Sequence, residues 1–245
     1  MALMAIAIGY TLEGGVLSNL FDLSAFIIVF GGTLGAVMLQ TTKFQLTTAF
    51  KMLTWVIKPP RHDFEKGIEQ IKSWSTKVRQ DGYLSLEQYA LREKNYFVAK
   101  GLNLLIDGSE EQQFFDTMEN EIEQQRNALY ESSKVYNAMG GYSPTIGILG
   151  AVLGLIQAMN FIKQPDMLGA GIATAFVATI YGVGFANLIY IPIAHKLTSL
   201  VDEYCRYHQM IAEGMYCILL GDTPNVIEQK LSAYLIEKNN SALLR

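Results

Sequence analysis

Residues 135–162 read VYNAMGGYSPTIGILGAVLGLIQAMNFI, 28 positions without an Asp, Glu, Lys or Arg. A helix needs about 20 mainly apolar residues to cross a bilayer, so this run crosses with residues to spare. Beyond the short segment Lys163–Asp166, Met167–Ala194 repeats the pattern with another 28 uncharged positions. Working outward, Leu23–Thr42 is a third such run, of 20 residues. Met1–Leu12 is apolar but too short to span alone. It is either the tail of a span that starts upstream of Met1 or an interfacial segment. The absence of a basic start and of a small-residue cleavage site before Glu13 argues against a signal peptide.

Charge is segregated accordingly. It makes up 17% of the chain, against roughly 25% in soluble domains. Only Glu13, Asp22, Lys163 and Asp166 fall in 1–42 or 135–194. All other charges crowd into 43–134 and 195–245. Lys43, Lys51, Lys58 and Arg61 follow the Leu23–Thr42 run, Arg126 and Lys134 precede Val135, and Lys196 follows the last run; the opposite side offers only Lys163. The positive-inside rule therefore puts 43–134 and 195–245 in the cytoplasm, and Glu13–Asp22 with Lys163–Asp166 outside. The expected fold is all-α: a polytopic membrane protein with four transmembrane helices, the first half-length, and a helical cytoplasmic domain. Its parts are a first hairpin (1–42), the cytoplasmic domain (43–134), the third and fourth spans (135–194) and a helical tail (195–245), with both termini cytoplasmic.

Within 43–134, Phe64, Ile68 and Ile71 recur at helical spacing, as do Phe97, Val98, Leu102, Leu105 and Ile106. Breaks are expected at Pro59-Pro60, Asp81-Gly82 and Asp107-Gly108. Glu110–Lys134 carries a narrow apolar stripe, which predicts long helices leading into and out of the last two spans. Gly221-Asp222-Thr223-Pro224 reads as a turn with a cap before a short helix over Asn225–Glu237. A net charge of −4 without a basic stripe argues against nucleic acid. Cys205 and Cys217 read as reduced structural thiols, and no metal or cofactor motif is present. No nucleophile–base set appears either, so an enzyme is not expected; His62, His195 and His208 read as surface residues.

The long runs carry small residues on one face each: Gly147, Ala151, Gly154 and Ala158 in the first, Gly171, Ala175, Ala178, Gly182 and Ala186 in the second. Such stripes let helix backbones approach in lipid, so the two runs are expected to pack on each other or on a third helix. Ser143-Pro144 reads as a helix start, serine as cap and proline in the first turn. Pro192 should kink a helix that continues past His195. Neither run holds a carboxylate, lysine or histidine, groups that proton carriers keep at membrane depth. Thr174, Thr179, Tyr181, Asn187, Gln157 and Asn160 can line a path but cannot carry the charge. If the chain handles ions, a partner must supply the titrating group.

Several motifs in order resemble one family. Leu12-Glu13-Gly14-Gly15 with Gly31-Gly32-Thr33-Leu34-Gly35, the Arg79-to-Glu87 stretch RQDGYLSLE, and Leu104–Gly108 are similar to segments of the MotA-type flagellar stator subunits of the MotA/TolQ/ExbB proton-channel superfamily. So are Pro144–Leu155 (PTIGILGAVLGL), Ala178–Gly182 (ATIYG) and Pro192. The resemblance implies a ring of five identical subunits around a dimer of a single-span, peptidoglycan-anchored MotB-like partner that brings the membrane aspartate. It implies an inner-membrane location, contact with lipid, and torque on the flagellar rotor. By residue match, Arg79 and Glu87 would engage the rotor switch protein and Pro144 and Pro192 would be conformational pivots. Ala151 and Thr179, with Tyr181 beside them, would line the ion pathway, and Gly147, Gly150, Gly154 and Gly182 would pack the helices. The proton is the expected ion, because sodium-driven relatives tend to carry threonine where Ala151 stands. A TolQ- or ExbB-like energiser is the rival within the superfamily, disfavoured by the hairpin before Lys43 and by the Arg79–Glu87 motif. A stand-alone solute transporter is the rival outside it, and it would need broken helices and midplane polar groups.

Overall fold

In a computed structural model the chain is described over residues 2–163 and 165–243, with side chains described for 4–163 and 168–235. Helices account for the regular structure, and no strand occurs among the described residues. The chain divides into two compact units: Met1–Lys58 with Leu129–Thr198, and Pro59–Ala128 with Ser199–Arg245.

The first unit opens with α1 (Ala2–Leu12), a 3₁₀ turn (Leu17–Leu20), α2 (Leu23–Phe26), a π turn (Ile27–Gly31) and α3 (Gly32–Gln40). With 11 residues, α1 is about 16 Å long, roughly half the hydrocarbon thickness of a bilayer. Asp22 starts α2 by accepting the Ala25 N–H at 2.9 Å. Thr33, buried in α3, returns its hydroxyl to the Val29 carbonyl at 2.6 Å, as a hydroxyl in an apolar helix must when no water is at hand. Next, α4 (Lys43–Ile57) begins with a reciprocal cap: Thr42 Oγ1 accepts the Gln45 N–H, and Gln45 Oε1 accepts the Thr42 N–H. The first unit also contains much of α8 (Glu111–Asn160) and α9 (Pro165–Phe185), and the start of α10 (Ile191–Leu219). Among the described residues three stretches are long and apolar enough to cross a membrane, one each within Leu17–Gln40, Glu111–Asn160 and Leu168–Leu219. Ile148, Leu149, Val152, Leu153, Ile156 and Met159 stand exposed along α8, a pattern that suits lipid and not water.

Two proline readings come out differently. Ser143-Pro144 starts no helix: α8 is continuous from Glu111, with Pro144 inside it. The loss is one hydrogen bond, to the Gly140 carbonyl, which a long helix held by neighbouring helices tolerates. Pro192 directly follows a helix irregularity. A π turn (Ala186–Tyr190) precedes it, and the Ile191 N–H reaches back five residues to the Ala186 carbonyl.

The second unit contains α5 (Phe64–Asp81), a 3₁₀ turn (Tyr83–Leu86), α6 (Glu87–Arg92), α7 (Tyr96–Ile106), the start of α8, the rest of α10, and α11 (Pro224–Leu243). The breaks fall where Pro59-Pro60, Gly82 and Gly108 predict, and Gly82, Gly108 and Gly221 all have positive φ. The last helix runs past the expected Glu237. The core is Phe64, Ile71, Trp74, Leu86, Phe97, Leu102, Leu105, Phe114, Met118, Met210 and Leu231, each at most 1% exposed. Ion pairs tie its helices, among them Lys100–Glu121, Lys72–Glu228 and Arg126–Asp202. Cys205 and Cys217 are both buried free thiols. Desolvation pushes each up to about 11, so they stay protonated and unreactive at neutral pH.

Of the three histidines, only His195 is exposed. His62 is half-buried, stacked on Tyr207 with ring centroids 4.8 Å apart. His208 is 1% exposed, because it faces inward from α10 and both ring nitrogens find partners, Tyr204 and Asn95. Scattered positions in the sequence concealed this.

Candidate functional site

The small faces of α8 and α9 meet. A Cβ added at Gly147 would lie 2.9 Å from Gly182 Cα, one at Gly154 2.9 Å from Ala175 N, and one at Gly171 2.9 Å from Ala158 Cα. At Gly182 it would lie 2.8 Å from the Ser143 carbonyl, and at Gly150 2.9 Å from Ala178 Cβ. These pairs define an antiparallel register in which rising numbers on α8 meet falling numbers on α9. The backbones touch, so even a methyl group at these glycines has no place. Interpolating that register puts Ala151 and Thr179 at one level, both half-buried. The Thr179 hydroxyl bonds the Ala175 carbonyl at 3.3 Å, a long contact that leaves its lone pairs open.

Tyr181 is not at that position. Two residues on, it lies about 200° round the helix, on the face that packs Ala25 and Val29 with Val177 and Phe185. Its hydroxyl donates to the Leu20 carbonyl at 2.6 Å and accepts the Asp22 N–H at 3.2 Å. Thr174 donates to the Asp22 carboxylate from the same helix. Asp22, which the sequence placed only at the end of an outer segment, thus ties the first hairpin to α9. The signal was an aspartate directly before an apolar helix, a capping position. Asn187 bonds back to Val183 at 3.0 Å, and Gln157 and Asn160 are exposed. Among the described residues, the charge-free parts of α8 and α9 bring no carboxylate, lysine or histidine to this pair.

The charged motif lies in the second unit. Arg79, in the last turn of α5, donates to the Gly221 carbonyl at 2.7 Å. The Tyr83 hydroxyl lies 3.4 Å from the carbonyls of Ile218 and Leu219. Together they cover the open C-terminal end of α10. Glu87 stands exposed in the first turn of α6, where a negative charge suits the helix dipole. Neither makes an ion pair among the described residues. Around them Leu84, Tyr89, Leu91 and Tyr96 are exposed, so the motif sits on a mixed charged and apolar surface. Ser143 and Pro144 are respectively buried and half-buried, and Pro192 is exposed.

The profile of the MotA/TolQ/ExbB proton channel family matches residues 90–210. Motility protein A of Bacillus subtilis (strain 168) is 30% identical over 240 residues, covering 98% of this chain and 89% of that protein. The chain belongs to the MotA/TolQ/ExbB proton channel family. Motility protein A of Helicobacter pylori (strain ATCC 700392 / 26695) is 30% identical over 96% of the chain and 91% of that protein. Chemotaxis protein PomA of Vibrio alginolyticus is 28% identical over 91% of the chain and 88% of that protein. The fold matches the solved structure of C. jejuni MotAB at a TM-score of 0.90 and 30% identity, over 95% of this chain and 91% of that one. The flagellar MotAB stator complex from Bacillus subtilis matches at 0.86 and 30% identity, over 95% and 92%.

Proposed function

We propose that this chain is the ion-conducting stator subunit of a bacterial flagellar motor. In this reading it couples proton flow, through a complex with a MotB-like single-span partner, to torque on the rotor. The observation that carries the reading is the α8–α9 pair: charge-free stretches of two helices in backbone contact, able to wall a path but bringing no carboxylate, lysine or histidine to it. The full-length likeness to motility proteins and to MotAB stator chains supports the same reading.

Each residue then has a role. Ala151 and Thr179 line the path where the partner's carboxylate passes. Tyr181 holds Leu20 and Asp22 against the pathway helix. Pro144 and Pro192 are pivots, each removing one backbone hydrogen bond and so lowering the cost of bending α8 and α10. Gly147, Gly150, Gly154 and Gly182 keep the helices close. Arg79 and Glu87 engage the rotor switch protein. Five copies form the ring, in the inner membrane, with four spans and both termini cytoplasmic. The proton is the ion, since sodium needs several oxygen ligands to replace its water and Ala151 supplies none.

Expression with a MotB-like partner in a strain stripped of its stators tests this: swimming should be restored, and should stop when a protonophore is added. Swimming that rises with external sodium and survives the protonophore would refute the proton assignment. Failure to rotate with any such partner would refute the stator reading. Reversing both charges, Arg79→Glu with Glu87→Lys, should cut swimming while assembly persists, and opposite changes on the rotor should recover part of it.

A further inference from the structure

His208 belongs to neither the proposed ion path nor the charged motif. Its ring centroid lies 4.8 Å from Phe97, 4.1 Å from Tyr204, 5.8 Å from Tyr207 and 6.0 Å from His62. Nδ1 lies 2.8 Å from the Tyr204 carbonyl oxygen. A carbonyl only accepts, so Nδ1 carries a hydrogen. Nε2 lies 3.2 Å from the side-chain nitrogen of Asn95. That amide's orientation is fixed from the other side: Asn95 caps α7, its Oδ1 accepting the Phe97 N–H at 3.0 Å. An amide NH₂ only donates, so Nε2 must accept. The hydrogen bonds therefore describe one species, the neutral imidazole with its hydrogen on Nδ1.

A second proton would have to sit on Nε2, facing the amide hydrogens of Asn95. The conflict ends if the Asn95 amide turns over and offers Oδ1 to the imidazolium, but the Phe97 N–H then loses its cap. Capping of α7 and charging of His208 exclude each other. The link between α6 and α7 is held by the same residue, since the Asn95 N–H donates to Glu93 Oε1 at 2.8 Å.

The surrounding titratable groups do not reverse this. His62 acts on His208 directly and, when charged, opposes a second positive charge; burial opposes it more strongly still. Glu93 and Asp63 act on Tyr207, and Glu121 on Tyr204.

We propose that the His208–Asn95 contact is an acid-released latch: a proton on His208 turns the Asn95 amide and uncaps α7, at the residue whose backbone N–H holds Glu93 at the end of the Glu87–Arg92 helix. It rests on the stator reading only in making the neighbouring Glu87–Arg92 helix a rotor-facing one. Amide hydrogen exchange on the full chain in lipid nanodiscs, followed from pH 8 downward and corrected for intrinsic rates, tests the latch without requiring rotation. Protection of Phe97–Ala99 should fall in acid by roughly five- to tenfold, the worth of one helix cap. His208→Gln keeps an acceptor for Asn95 and a donor for Tyr204 but cannot titrate, so its protection should stay flat. Asn95→Asp keeps the cap with one oxygen and offers the other to the imidazolium, so its protection should rise in acid. The same pH response in the wild type and His208→Gln, or an unreversed response in Asn95→Asp, would overturn the proposal.

Discussion

The α8–α9 pair and the second unit solve the same packing problem with opposite materials. The pair closes on glycine and alanine, backbone against backbone. The second unit closes on Trp74, Phe64, Phe97 and Phe114, each at most 1% exposed. In water, large apolar side chains bring helices together because burying them releases water. In lipid that gain is missing, so contact comes from fit, and small residues provide it. Polar groups divide the same way. The second unit carries ion pairs and a histidine network, whereas the pair carries uncharged hydroxyls, some bonded within their own helix (Thr145, Thr179) and some to the first hairpin (Thr174, Tyr181).

The contrast can be broken first in the second unit. Trp74→Ala should cost about 3–5 kcal/mol by opening a cavity in a side-chain core, read as a lower denaturant midpoint for the purified chain. The pair should fail in the opposite direction, by adding atoms. Gly182→Val forces a side chain into the Ser143 carbonyl and Gly147 and should cost about 1–3 kcal/mol. Gly184→Ala, with nothing within 4 Å of the added carbon, should leave thermal stability unchanged. Equal costs for the two glycines would dissolve the comparison.

Acid should separate the regions next. His208 is held below the ordinary histidine value of 6.5, mainly by burial. Its contribution to stability is therefore complete above about pH 6.5 and is lost as the pH falls toward the lower folded-state value. The loss should show as an acid-side drop in melting temperature that His208→Gln removes. The smallest effect belongs to Arg79→Ala. It deletes an exposed bond to Gly221 and should cost under about 1 kcal/mol, read as a slight fraying of α10's end by hydrogen exchange.

The sequence made most of this architecture readable because lipid and water leave different periodicities. Charge-free runs marked the apolar helices, small-residue spacing marked the faces that meet, and Gly82, Gly108 and Pro59-Pro60 marked the breaks. What stayed hidden was set by partners far along the chain. The capping pattern at Ser143-Pro144 looked like a start, but α8 arrives there already formed. His208 looked like a surface residue because Asn95, its partner, is over a hundred positions away. Asp22 looked like a loop charge until Thr174 and Tyr181 closed on it. Nothing in the sequence placed Arg79 against Gly221, whose carbonyl its guanidinium meets from 142 positions away.

The central claim is that the α8–α9 pair walls a path it cannot itself energise, and proton flux into liposomes tests it most directly. Liposomes holding this chain alone should stay proton-tight under an imposed potential. Adding the MotB-like partner should open a flux that disappears when the partner's membrane aspartate is changed to asparagine. Sustained flux through the chain alone would contradict the account.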